Sequence, residues 1–248
     1  MRPKLRPAML IFPGGGYGYV SAREWEPVAM EYYRDGFDCF VLDYDIAPQH
    51  HYPIMLLQAG MAMLYLRSSS KGLSLREDKI AVIGFSAGGH LAGCISFLWE
   101  DPALRAQFGE ECTQIRPDIA ILSYPVVSSE KAIMHEGSFV NFCGGLVSPE
   151  DYSLEKHVPP TAPPVFLWGT TEDTCVPIEN SVLLYQALHR AGVPTELHIF
   201  GRGPHGLSVC DREVTEVMTA DVLHASHWVE LSLEFLHSFD FYAKERTR

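Results

Sequence analysis

Short apolar runs of strand length alternate along the chain with longer stretches of helical period, and this alternation constrains the fold more than any other feature. The runs are AMLIFP at 8–13, FDCFVLD at 37–43, KIAVIG at 79–84, DIAILSY at 118–124, PVFLWG at 164–169 and ELHIF at 196–200. Strands that read as near-continuous apolar runs are buried on both faces, the pattern of a parallel sheet between two layers of helices. The intervening stretches supply those helices. Residues 24–35 stop at Gly36, and 53–70 carry Pro53 in the first turn and apolar residues at 56, 57, 61, 64 and 66. Residues 87–99, 178–191 (stopping at Gly192) and 220–239 complete the set, the last presenting Val222, Leu223, Val229, Leu233 and Leu236 on one side. The expectation is one α/β domain over residues 1–248, with about six mostly parallel strands and helices on both faces. Residues 126–163, rich in Ser, Gly and Pro, break the alternation. A loop of that length in a compact domain is usually functional, so it is expected to be lid-like or to form a pocket wall.

Composition excludes several classes. The 248 residues carry 19 Lys plus Arg against 31 Asp plus Glu, a net charge of −12. A protein that grips nucleic acid needs a basic stripe, and the densest basic cluster is the tail at 244–248. No run approaches ~18 apolar residues, so no membrane span is expected. The apolar run at 8–12 is also too short for a secretory leader. Cysteines stand at 39, 94, 112, 143, 175 and 210 with no C-x-x-C pair, which reads as reduced thiols in a cytoplasmic protein.

The chemistry concentrates at loop positions that follow the strands. Gly84-Phe85-Ser86-Ala87-Gly88 matches G-x-S-x-G between the run KIAVIG and a helical stretch, the strand–turn–helix setting of a nucleophile elbow. The same residues also fit a serine N-cap with helix-packing glycines. A nucleophilic serine needs a base and a group that orients the base. Asp173 follows the run PVFLWG, and His205 follows ELHIF in Gly203-Pro204-His205-Gly206. The order serine, acid, histidine is that of a hydrolase sheet, and all three residues fall at the carboxyl ends of predicted strands. Glu172 adjoins Asp173 and is the competing acid. His90 reads as a packing residue under the loops. Of His50, His51, His135 and His157, only His135 is a candidate pocket residue. The Ala87 N–H, next to the nucleophile, is a candidate oxyanion donor, and Gly14-Gly15-Gly16 follows the first strand where further donors are supplied. G-x-G-x-x-G fails at Tyr19, and neither a Walker A lysine nor ligand-spaced histidines are present, so no cofactor and no metal are expected.

These pieces together carry a resemblance. FPGGGY at 12–17, LDYDIAP at 42–48, GFSAGGHLA at 84–92, LWGTTEDTCVP at 167–177 and GPHGL at 203–207 run in the order of the α/β-hydrolase fold. Within that fold the chain is similar to small carboxylesterases of the acetyl-xylan-esterase-like and hormone-sensitive-lipase-like groups. The resemblance implies a Ser86–His205–Asp173 triad, with the Gly15, Gly16 and Ala87 amides as the oxyanion hole. It implies a serine esterase for short acyl chains such as acetyl, with a small ester, an acetylated sugar first, as substrate. Tyr17, Tyr19, Met134, Phe139 and Phe142 are the residues available to shape the pocket, or alternatively to pack the loop down.

The chain departs from the resemblance in three places. Pro13 stands where the family usually has the histidine that steadies the oxyanion loop, and Asp45 stands at a usual arginine. The family's leading strands are missing, which predicts an exposed sheet edge at the first strand and pairing through it, as in a homo-oligomer, or a partner covering it. Two alternatives stay open: a serine peptidase of the prolyl-oligopeptidase type, and a hydrolase-fold binding protein without turnover.

Overall fold

The computed structural model describes residues 4–215 and 217–245. In chain order the elements are β1 (Lys4–Phe12), α1 (Glu26–Arg34), β2 (Asp38–Val41), α2 (Ile54–Leu73), β3 (Leu75–Phe85), α3 (Ala87–Phe97), α4 (Pro102–Phe108), β4 (Ile119–Ser123), α5 (Glu136–Cys143), β5 (Val165–Thr170), α6 (Glu179–Arg190), β6 (Thr195–Phe200), α7 (Ala220–Ala225), α8 (Trp228–Ser238) and β7 (Lys244–Glu245). Six strands form a parallel sheet in the order β2-β1-β3-β4-β5-β6, and β7 pairs antiparallel with the start of β1.

Alternation along each strand splits the core into two layers. Ala8, Leu10, Phe12, Ile80, Val82, Leu122 and Leu167 face one layer with Leu56, Met63 and Leu91 of α2 and α3 and Leu184 and Leu188 of α6. Met9, Ile11, Ala81, Ile83, Ile121, Phe166 and Trp168 face the other with Val28 and Tyr32 of α1 and Trp228, Phe235 and Leu236 of α8. The Trp168 and Trp228 rings stack at 4.8 Å between centroids.

Four expectations are corrected. First, β1 is not a sheet edge: it lies between β2, at the register Ala8↔Asp38, and β3, at Ala8↔Ile80, because the chain steps outward to β2 and then crosses back. The edge on that side is β2, only four residues long and half-buried. Second, the helix expected at 24–35 begins at Glu26. Pro27 fits only its first turn, and residues 22–24 form a separate 3-10 turn. Third, the helix expected at 220–239 is two helices. Ser226 Oγ donates to the Leu223 carbonyl at 2.7 Å, and His227 Nδ1 lies 2.9 Å from the His224 carbonyl, so side chains take acceptors that a continuous helix would use. Fourth, the stretch 126–163 is not irregular throughout. It contains α5, which starts at a side-chain cap on His135 and stops at left-handed Gly144, followed by 3-10 turns at Pro149–Tyr152 and Leu154–Lys156.

Candidate active site

The turn from β3 into α3 sets the geometry. Ser86 sits at φ 53°, ψ −118°, in the left-handed half of backbone space, which costs a non-glycine residue of order 1–3 kcal/mol. The flanking glycines are sterically required. A Cβ on Gly84 would stand 2.3 Å from the Gly88 carbonyl oxygen, and one on Gly88 would stand 2.1 Å from the Phe12 carbonyl oxygen. The turn therefore holds Ser86 at the carboxyl end of β3 with its amide tied to the Ser123 carbonyl of the next strand.

The loops after β5 and β6 bring the other two groups to it. His205 Nε2 lies 2.8 Å from Ser86 Oγ, and His205 Nδ1 lies 2.6 Å from Asp173 Oδ2. A carboxylate only accepts, so Nδ1–H donates to Asp173 and Nε2 is left to accept the Ser86 hydroxyl proton. The second Asp173 oxygen accepts the Cys175 and Val176 amides at 2.9 and 2.8 Å, which fixes the carboxylate plane. Glu172, the competing acid, points elsewhere: it accepts the Gly203 amide at 3.2 Å and braces the loop leading to His205. The His205 ring also packs edge-on against Tyr124, 5.0 Å between centroids.

Ser86 and His205 open into a cleft of about 460 Å³ that Gly15, Gly16, Tyr19, His135, Cys175 and Glu24 also line. Among the described residues no protein acceptor takes the Gly15 or Gly16 amide, and Ala87 is the first residue of α3, whose N–H has no intrahelical partner. Three backbone donors therefore stand beside the serine. Of the residues expected to shape the pocket, Tyr19 lines the cleft and is 64% exposed. Tyr17, Phe139 and Phe142 do not line it. They are buried in the layer beneath, where Tyr17 and both phenylalanines surround the His90 ring. Met134 lines a separate hollow of about 600 Å³ with Ser129, Lys131 and Glu136. His90 is a packing residue: its Nε2–H donates to the Tyr152 carbonyl and its Nδ1 accepts the Tyr17 hydroxyl, both at 2.8 Å. Burial pushes its pKa down to about 4.

Sequence reasoning missed Glu24. It stands at the front of the helix expected at 24–35, with no role assigned to it from the sequence, yet it is 4% exposed. One of its oxygens accepts the Gly14 amide at 2.6 Å and the other accepts the Tyr124 hydroxyl at 2.7 Å. Tyr124 in turn accepts the Ser208 amide at 2.9 Å. Tyr44 donates its hydroxyl to the Pro13 carbonyl at 2.6 Å, and Asn141 of α5 donates to the Gly16 carbonyl at 2.8 Å. The loop is thus steadied by Glu24, Tyr44 and Asn141, without a histidine at position 13. Burial raises the Glu24 pKa, against the opposing pull of the Tyr124 and Gly14 hydrogen bonds. The only available signal was its place ten residues after Gly14, which carries no recognisable pattern.

Residues 9–209 match the alpha/beta hydrolase fold family. The chain is 37% identical over 218 residues to endo-1,4-beta-xylanase B of Butyrivibrio fibrisolvens, covering 84% of this chain and 33% of that protein. It is 29% identical over 207 residues to an acetylxylan esterase of Xylanibacter ruminicola, covering 80% of this chain and 40% of that protein. The chain thus spans well under half the length of these two relatives. Among solved structures it is similar to an acetyl ester-xyloside bifunctional hydrolase from Caldicellulosiruptor lactoaceticus. That match has a TM-score of 0.83 at 35% identity and covers 98% of this chain and 86% of that one.

Proposed function

The chain belongs to the alpha/beta hydrolase fold family, and on that premise we propose that it is a serine carboxylic-ester hydrolase that cleaves short-chain, acetyl esters through an acyl-enzyme. One observation carries the reading: the continuous hydrogen-bond chain Ser86 Oγ–His205–Asp173, with links of 2.8 and 2.6 Å, opening into a cleft beside unpaired backbone donors.

In this mechanism His205 Nε2 takes the Ser86 proton as Oγ attacks the ester carbonyl. Asp173 holds the imidazole in the tautomer that can accept and stabilises its charged form. The Gly15, Gly16 and Ala87 amides receive the oxyanion, each worth about 3 kcal/mol in the transition state. His205 then protonates the departing alcohol, and water repeats the sequence to release the acid. Nothing in this scheme calls for a metal or cofactor. An acetylated sugar is the substrate class we favour, supported by the names of the relatives above and by the size of the cleft. In this reading the segment 126–163 is the cleft's wall, since His135 comes from it and Asn141 of α5 fastens Gly16. All six cysteines are unpaired, which fits a reducing compartment such as the cytoplasm. No described helix is long and apolar enough to cross a membrane.

The test is a rate panel of acetylated xylo-oligosaccharides against aryl esters of increasing acyl length, with Ser86→Ala as the control. Rapid acetyl release that Ser86→Ala abolishes is expected. A folded wild-type protein that hydrolyses none of them, and takes no fluorophosphonate adduct at Ser86, contradicts the reading.

A further inference from the structure

The cleft holds a histidine that the triad does not use. His135 lines it together with Ser86, His205, Gly15 and Gly16. Its Cε1 lies 3.9 Å from the place a Cβ on Gly16 would take, so the ring stands against the oxyanion loop. One side of the ring is committed inside the protein. Ser138 Oγ lies 2.7 Å from Nδ1, and the Ser138 amide, at the head of α5, donates to Nδ1 at 3.3 Å. Ser138 is 1% exposed, and among the described residues its hydroxyl has no other partner, so its proton goes to Nδ1. A neutral ring that accepts at Nδ1 carries its hydrogen on Nε2. Burial, and secondarily the nearby His205, lowers the His135 pKa, while Asp173 opposes them. The neutral ring therefore prevails, and no described protein group bonds its Nε2.

We propose that His135 Nε2–H is a substrate-binding donor that reads an oxygen of the alcohol portion of the ester, selecting acetates of polyols such as sugars over acetates of simple aryl or alkyl alcohols. The inference rests on the esterase reading and deepens it. An acetyl group offers only its carbonyl oxygen beyond the ester link, and that oxygen has the Gly15, Gly16 and Ala87 amides. A further donor in the cleft is matched only by oxygens on the alcohol. An alcohol lacking them leaves the donor unpaired, which is the arrangement that discriminates strongly.

His135→Asn tests it. Asparagine is a good helix N-cap, so its side-chain oxygen continues to serve the Ser138 amide, but it cannot place an N–H where Nε2 stood. kcat/KM is measured for a monoacetylated methyl xyloside and for 4-nitrophenyl acetate, with the thermal midpoint recorded for each variant. The ratio of the two is expected to fall about 10-fold, mostly through KM for the sugar ester. His135→Gln, whose longer amide carries an N–H outward, is expected to recover part of that ratio. Equal losses on both substrates, or no loss on either, overturn the assignment. So does ¹⁵N NMR of the wild-type protein showing the Nδ1–H tautomer for His135, a readout that needs no variant. If the wild-type protein hydrolyses neither ester, the esterase reading itself fails; if it hydrolyses both and the ratio is unmoved, only the role of His135 fails.

Discussion

Glu24→Gln probes how the oxyanion loop is held. The change is isosteric, but it replaces two acceptor oxygens with one. The Gly14 amide and the Tyr124 hydroxyl both donate to the carboxylate now, and only one of them can be served by the amide oxygen. Tyr124 already accepts from the Ser208 amide, so its own hydroxyl proton has no substitute acceptor among its present partners. Leaving one buried donor unpaired costs about 1–3 kcal/mol. For a domain of this size that lowers Tm by roughly 2–12 °C, at about 2–4 °C per kcal/mol. Losing an oxyanion donor outright costs ~10²–10³ in kcat. Glu24 acts on Gly15 and Gly16 through Gly14, so a fall in kcat of about 10-fold with a smaller change in KM is expected. Thermal unfolding gives the first quantity and 4-nitrophenyl acetate kinetics the second. Tyr124→Phe closes the cycle: the pair is expected to couple by about 0.5–3 kcal/mol in stability. A variant that loses Tm while keeping the wild-type kcat would refute the reasoning, because Glu24 would then brace the fold without placing the donors.

Three further outcomes follow from the structure. His90 ties α3 to Tyr17 and Tyr152 and is held neutral, with a pKa of about 4 against about 6.5 for an unfolded histidine. Below pH about 6.5 the unfolded chain binds a proton that the folded protein refuses, so stability is full above that pH and is lost as pH falls toward 4. About 2 kcal/mol should disappear between pH 7 and pH 5, read from urea midpoints, and His90→Gln should remove that component; equal slopes for both proteins would sink the assignment. Cys175 is the exposed cysteine and lines the cleft. Burial and then Asp173 raise its thiol pKa, so a bulky maleimide should block turnover faster as pH rises toward 9, and Cys175→Ser should be resistant; full activity of the stoichiometrically labelled protein would contradict the placement. Asn180 is buried and accepts the Val127 and Ser128 amides while donating to the Ile133 carbonyl. Asn180→Ala should therefore cost about 2–4 kcal/mol by urea unfolding, and a cost under 0.5 kcal/mol would deny it that anchoring role.

What the sequence discloses is what local pattern can encode. The six parallel strands are legible because each is an apolar run between polar punctuation. Ser86 is legible because the elbow needs small residues at fixed offsets. Asp173 and His205 are legible as loop residues directly after strands, and Asp173 is preferred to Glu172 in the sequence itself because the longer glutamate would place the imidazole differently; the structure turns Asp173 to the ring and Glu172 to the Gly203 amide. Properties that depend on distant segments meeting are not written locally. The burial of Glu24 arises only where the loop after β1, the end of β4 and Ser208 converge. Strand order is likewise invisible in chain order, which is why β1 reads as an edge and sits inside. The aromatics Tyr17, Phe139 and Phe142 read equally as pocket or core, and the structure buries them around His90, a contact between segments that no local pattern encodes.

The pairing of β7 with the start of β1 sets Lys4 opposite Glu245. The cleft opens at the carboxyl ends of the strands, whereas Lys4 and Glu245 meet at the other pole, separated from it by the nine residues of β1, or about 30 Å at 3.3 Å per residue. A module or affinity tag attached next to Lys4 or Glu245 would start from the pole opposite the catalytic mouth. Such a fusion leaves the approach of a bulky polymeric substrate unobstructed, so the unit can be spliced into a modular enzyme without redesigning its entrance. The two attachment points are also neighbours, so flanking modules on both sides would be held close to one another while the cleft faces outward.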